Sequence, residues 1–209
     1  MLRISTFNIQ NDFSNYSKAK TTDIVNYLTS NKIDILGLQE VFSKCNKDLE
    51  EELENCNYNI LGKYRFYLHF LLKRFNEKVP VVTNKEIIES KTYHLPAFPS
   101  PLKRIVTKTV ILYNGKLISI YNTHLDFMLD SVKKRELRKL LKLIQKDDNL
   151  IVLLGDFNLK NNNKLFIDFF KALEESNIYR VDVGEKTLKV SKSKRAIDHI
   201  FLSQEFKLK

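Results

Sequence analysis

The sequence predicts a mixed α/β domain, and three observations carry that reading. Residues 150–154 are consecutive apolar positions bounded by Asp and Asn clusters, the pattern of a strand buried on both faces. Asn114-Gly115 separates two β-rich runs, residues 104–113 and 116–121, and Asn-Gly in that setting is the strongest short-range hairpin signal. Residues 131–146 and 164–175 instead repeat their apolar side chains at helical spacing. The stripes are Leu137, Leu140, Leu141 and Ile144 in the first and Leu165, Phe166, Phe169, Phe170 and Leu173 in the second.

The other elements follow from the N-terminus. Residues 2–9 alternate as a strand, with Leu2, Ile4 and Thr6 on one face and Arg3, Ser5 and Phe7 on the other. Residues 18–30 have helical spacing through Thr21, Ile24, Val25 and Leu28. Residues 33–38 form a second buried strand that runs into Gly37-Leu38-Gln39-Glu40. A helix over 44–55 places Cys45, Leu49, Leu53 and Cys56 on one face. A rise of 1.5 Å per residue puts the two sulfurs about 16 Å apart, too far for a disulfide, so both are read as small apolar residues of a reducing compartment. Residues 58–75 are aromatic-rich, broken by Lys and Arg, and are read as strand and loop. Residues 79–83 and 85–93 are strands, and 95–102, with Pro96, Pro99 and Pro101, is a surface loop. The second hairpin arm ends in Asn122-Thr123-His124-Leu125-Asp126. The cationic side of the 131–146 helix (Lys133, Lys134, Arg135, Arg138, Lys139, Lys142, Lys146) is read as a solvated surface before a nucleic-acid face. A loop at 161–163, a loop with weak strand at 186–194 and a last strand at 196–202 carrying Asp198 complete the chain.

A length of 209 residues fits one domain, 1–209, with a sizeable core. Hydrophobic content of 43% and charged content of 29% are those of a soluble globular protein. No apolar run reaches the roughly 18–20 residues of a membrane span, and no signal-peptide pattern opens the chain. A cytoplasmic monomer without a transmembrane segment is expected. A net charge of +10 favours polyanionic partners: nucleic acid, an anionic membrane surface or phosphorylated small molecules.

Polar groups recur at strand ends: Asn8, Glu40, Asn122 with His124, Asp156 with Asn158, and Asp198 inside the last strand. Gly155-Asp156-Phe157-Asn158 is also ordinary turn composition. Carboxylates and amides at the rim of a core are costly, however, unless they serve a site. If the strands share a sheet edge, these residues converge. Without a thiolate they form a hard donor set suited to Mg²⁺, with Mn²⁺ or Ca²⁺ possible. Such an ion with His, Asp and Asn around it suits hydrolysis of phosphate esters.

Taken in order, Thr6-Phe7-Asn8, Gly37-Leu38-Gln39-Glu40-Val41, Asn122-Thr123-His124-Leu125, Gly155-Asp156-Phe157-Asn158 and Ala196-Ile197-Asp198-His199-Ile200 resemble the motifs of the endonuclease/exonuclease/phosphatase superfamily, with its deoxyribonuclease-I-like fold. Residues 79–83 resemble the family's central strand, and Arg104 an arginine that often opens the strand before the Asn-Thr-His-Leu arm. The resemblance implies a four-layered α-β-β-α sandwich of two mostly antiparallel sheets with outer helices. It also implies Glu40 as main metal ligand with Asn8 beside it, and Asp156 as the group that orients or deprotonates water. Asn158 and His124 would bind the scissile phosphate, Asn122 and Arg104 would support phosphate binding, and Asp198 would orient a general-base histidine. That histidine belongs to a Ser-Asp-His motif on a further strand, and this chain reaches Lys209 without one. His199 directly follows Asp198, so alternation aims it at the opposite face. The resemblance therefore implies a domain truncated at its C-terminus with its last strand missing, a strand supplied otherwise, or a degraded member. The functional expectation is a Mg²⁺-dependent, nuclease-like phosphodiesterase. The alternatives are a lipid or small-molecule phosphatase or phosphodiesterase, or a non-catalytic binding protein that has lost its base.

Overall fold

The computed structural model describes residues 1–9, 18–65, 76–101, 103–181 and 197–207. The expected loop and weak strand at 186–194, residues 66–75 of the aromatic-rich stretch, and His69 lie outside the described residues.

The chain alternates strands and helices in the order β1 (Ile4–Asn8), α1 (Lys18–Ser30), β2 (Ile35–Gln39), β3 (Val41–Phe42), α2 (Ser43–Glu54), β4 (Asn59–Leu61), β5 (Glu77–Lys78), β6 (Val81–Thr83), β7 (Glu86–His94), β8 (Ile105–Tyr113), β9 (Lys116–His124), α3 (Asp130–Ile144), β10 (Leu150–Asp156), α4 (Lys164–Glu174), β11 (Ile178–Val181) and β12 (Asp198–Ser203). One sheet has the order β1-β2-β6-β4 and the other β11-β12-β10-β9-β8-β7, with a small β3–β5 ladder beside them. Both main sheets are mostly antiparallel. β1 with β2 and β9 with β10 are the parallel pairs.

Three apolar layers fill the spaces between elements. Ile24, Val25 and Leu28 of α1, with Leu49 and Leu53 of α2, pack on Leu36, Leu38 and Val82 of the smaller sheet. Ile35 and Val81 face Ile118, Ile120, Val152, Leu154 and Ile200 between the sheets. Leu137 and Leu140 of α3, with Phe166, Phe169 and Leu173 of α4, cover Leu153, Tyr121 and Phe201 of the larger sheet. The result is the α-β-β-α sandwich that the motifs imply. β10 lies inside its sheet between β9 and β12, with Ile151 to Leu154 at most 3% exposed, as an uninterrupted apolar run requires. Among the described residues no helix is long and apolar enough to cross a membrane.

Two glycines let the backbone pack as closely as the site needs. A Cβ on Gly37 would run into Leu154 and Asn122 of the opposite sheet. Gly155, at φ +142°, has its neighbour's Thr123 carbonyl where a Cβ would sit. Cys45 is buried in α2, whereas Cys56 lies past the helix end, and neither is in a disulfide.

Candidate active site

The site lies where both sheets deliver their strand ends. β1 ends on Asn8 and β2 is followed by Glu40, both from the smaller sheet. In the larger sheet, β9 ends on His124 and β10 on Asp156, and β12 begins with Asp198. Register sets these three side by side, with Asp156 opposite His124 on one neighbour and Asp198 on the other. The polar residues therefore converge across the facing ends of two sheets rather than along one sheet edge.

Asn8 joins the two halves. Its Nδ2 donates to Glu40 Oε1 at 2.9 Å and to Asp156 Oδ2 at 3.1 Å. His124 Nε2 lies 4.0 Å from each of those carboxylate oxygens. Glu40 adopts a left-handed conformation, φ +60°, where the chain leaves β2 for β3. Asn158 is left-handed as well, φ +49°. Its backbone N–H donates to Asp156 Oδ1 at 2.9 Å and its Nδ2 to the Leu125 carbonyl at 3.0 Å. Non-glycine residues held in this region, two of them in one cleft, mark a site whose geometry the surroundings over-determine.

Behind His124 stands a residue the sequence did not single out, Glu77. Its Oε1 is 2.7 Å from His124 Nδ1 and accepts the Glu40 backbone N–H at 3.2 Å. Its Oε2 accepts from Arg65 at 3.0 Å and from Arg104 at 3.2 Å. A contact that short between a carboxylate and Nδ1 requires the proton on Nδ1. Arg104, 3.0 Å from the same nitrogen, therefore spends its hydrogen on Glu77 rather than on the ring. Burial would raise the Glu77 carboxyl, but the charges of His124, Arg104 and Arg65 overcome it and hold the group at about 2. Burial alone would lower His124. The Glu77 charge wins, and the imidazole is raised above its ordinary value. The imidazolium so favoured presents its Nε2–H between Glu40 and Asp156.

Asn122 and Arg104 stand elsewhere than expected for phosphate ligands. Asn122 is fully buried between the sheets. Its Nδ2 donates to the carbonyls of Leu38 and Pro80, and its Oδ1 accepts from Gln39 at 2.7 Å. With its amide fully used, it ties β9 to β2. Arg104 is 4% exposed and acts through Glu77. Both stand behind the cleft rather than in it, because satisfying a buried charge and a buried amide took precedence.

His199 lies on the helix-covered face, as alternation from Asp198 predicts. Its ring stacks 4.3 Å from Phe166 and touches Phe157 and Phe201. Burial pushes its pKa down to about 4, so it is neutral and far from water. His94 is exposed on β7.

The donor set also fits a hard divalent ion. Among the described residues no three His, Cys, Asp or Glu side chains converge to hold one unaided. Glu40 and Asp156 supply two carboxylates, and the Asn8 amide, whose Nδ2 donates to both, would offer the ion only its oxygen. Mg²⁺ is commonly held this way, keeping waters and taking substrate phosphate oxygens as its remaining ligands.

A family model described as the endonuclease/exonuclease/phosphatase family matches residues 5–209. No curated protein sequence matches the chain significantly. Among solved structures, an endonuclease/exonuclease/phosphatase from Bacteroides vulgatus superposes with a TM-score of 0.81 at 21% identity, covering 97% of this chain and 87% of that one. A mannosyl-6-phosphatase from Bacteroides thetaiotaomicron gives 0.79 at 20% identity, covering 98% and 86%. The D. rerio protein TDP2, complexed with single-strand DNA product, gives 0.76 at 17% identity, covering 97% and 83%. At these identities the solved structures establish the fold. The match over nearly the whole sequence adds the family, and the chain belongs to the endonuclease/exonuclease/phosphatase family.

Proposed function

We propose that the chain is a divalent-metal-dependent phosphoesterase. The observation that supports this best is the meeting of Glu40, Asn8 and Asp156 from two sheets, with His124 Nε2 4.0 Å from both carboxylates. Glu40 and Asn8, with Asp156 beside them, would hold Mg²⁺, or Mn²⁺ or Ca²⁺ in its place. Once bound, the ion would neutralise phosphate oxygens and the leaving group. His124 Nε2–H and the second Nδ2 hydrogen of Asn158 would hold phosphoryl oxygens, and Asp156 would accept a hydrogen bond from the attacking water. Asp198, next to Asp156 in register, would add negative charge that favours proton removal from that water. The buried His199 takes no part.

Nucleic acid is the first substrate class, on the strength of the +10 net charge. A lipid or small-molecule phosphate ester is the second, favoured by apolar side chains exposed beside the site. Cysteines outside any disulfide suit a cytoplasmic protein, and we take it to act as a monomer.

Purified protein is assayed on plasmid, oligonucleotide and a panel of lipid and sugar phosphates, with Mg²⁺ or with EDTA. Turnover that needs the ion and falls at least about 10²-fold in Glu40→Ala supports the reading. No turnover on any substrate, together with no Mg²⁺-dependent rise in Tm, would overturn it.

A further inference from the structure

Large hydrophobics on the described surface mostly stand singly, as on any soluble protein. One group departs from this. Phe98 is 86% exposed, Phe127 58%, Met128 55% and Leu129 37%. The last three are consecutive and follow the His124-Leu125-Asp126 turn directly. Phe98 sits on the proline-rich 96–101 loop next to them.

The two loops are fastened together. Ser100 Oγ donates to Asp126 Oδ2 at 2.6 Å, and Arg135 of α3 donates to the Phe98 carbonyl. Asp126 Oδ1 accepts the backbone N–H groups of Met128 and Leu129, both at 2.8 Å. Burial would raise the Asp126 carboxyl, but these hydrogen bonds hold it below its ordinary value. The exposed side chains are thus presented on a braced backbone. The lip also adjoins the site, because Leu125 accepts from Asn158 and Lys133 of α3 reaches the Asn158 carbonyl.

We propose that Phe98, Phe127, Met128 and Leu129 form a lip that inserts into an anionic lipid surface and turns the mouth of the site towards the headgroups. Two features select this partner. Met128 and Leu129 are aliphatic and cannot stack on a nucleobase, whereas acyl chains accept aliphatic and aromatic side chains alike. Beside the lip, α3 exposes Lys134, Arg138 and Lys139, and Asp130, the nearby acid, is paired with Lys133. Cations flanking exposed apolar residues complement anionic headgroups, each adding several-fold to affinity. Docking itself does not rest on the phosphoesterase reading; only the delivery of a lipid phosphate to the site does.

The sequence contains no Trp, so F98W and F127W each introduce a single indole reporter at the lip. Full-chain protein is mixed with vesicles of equimolar phosphatidylcholine and phosphatidylserine, without any substrate. A blue shift of both reporters, quenching by brominated acyl chains, and vesicle co-sedimentation reduced at least about tenfold in a Phe98→Ser, Phe127→Ser double variant support insertion. Circular dichroism of that variant and a Tm matching that of the wild type check that it is folded. Absence of a blue shift overturns the proposal. So does a shift that occurs with single-stranded oligonucleotide but not vesicles, which would assign the lip to nucleic acid. A shift that grows with protein concentration alone would assign it to a second copy and overturn it equally.

Discussion

Replacing Glu77 with Gln removes one negative charge from behind the site while keeping a side chain of the same size. Glu77 is 3% exposed and touches two guanidinium groups, an imidazole and a backbone N–H. Its carboxyl is lowered from 4.5 to about 2, which at 1.36 kcal/mol per unit corresponds to about 3 kcal/mol of stability. Because the folded-state value is depressed, that stability is fully present above about pH 4.5 and is lost as pH falls through about 2. The Glu77–His124 pair underlies the shifts of both residues and is counted once. Stranding Arg65 and Arg104 as buried charges gives a similar figure, since breaking a buried pair costs about 3–5 kcal/mol. Urea unfolding of Glu77→Gln at pH 7 should show a loss of about 3 kcal/mol, shrinking as wild-type Glu77 itself protonates at acid pH. Histidine NMR titration should show His124 dropping, because burial and Arg104 then act unopposed by Glu77. A stability loss under about 1 kcal/mol, or an unchanged His124 titration, would refute the assignment of Glu77 as the charge that organises the site.

Two other buried groups give predictions of opposite sign. His199 is depressed to about 4, so about 3 kcal/mol of stability is present above pH 6.5 and is lost as pH falls towards 4. Its buried Nε2 has no hydrogen-bond partner, but the ring also bonds the Leu159 backbone, so His199→Phe should keep activity, lose about 1 kcal/mol at pH 7 for the stranded backbone group, and abolish that acid sensitivity in a pH series of urea melts. Burial pushes Glu136 of α3 up to about 7, so the folded state holds its proton and stability falls as pH rises from 4.5 to 7. Glu136→Gln keeps an acceptor for the Asp126 N–H and should be more stable than wild type above pH 7, by up to about 3 kcal/mol in the same melts.

Elements with an uninterrupted or strictly periodic apolar pattern were legible from the sequence. β10, α3, α4, β8 and the start of β9 fall within two residues of expectation, because each advertises its buried face locally. β9 was read as ending at Tyr121, yet it continues to His124. Asn122 and His124 therefore belong to the strand, since polar side chains that find partners in the opposite sheet need not end a strand. β3, β5 and β11 went unread. Two to four residues that pair with distant segments carry no period of their own.

Within the site, Asn8, Glu40, His124, Asp156, Asn158 and Asp198 were visible because each stands at or near the end of an apolar strand, where a polar group is conspicuous. Glu77 was not, although it directly precedes Lys78 and the apolar 79–83 run. A lone charge beside a lone charge looks like solvated surface. Its burial depends on Arg65, Arg104 and His124, which are 12, 27 and 47 residues away.

Chemical type and the order of the motifs were thus determined by the sequence alone: hard oxygen and amide groups, with one imidazole, delivered by successive strand ends. Tertiary structure decided which of them face the cleft. It spent Asn122 on carbonyls between the sheets, buried His199 among phenylalanines, and turned Arg104 inward to Glu77. The physical reason is that burial makes polar satisfaction obligatory, and the partners that satisfy a buried group are chosen by how two sheets meet, which no local pattern records.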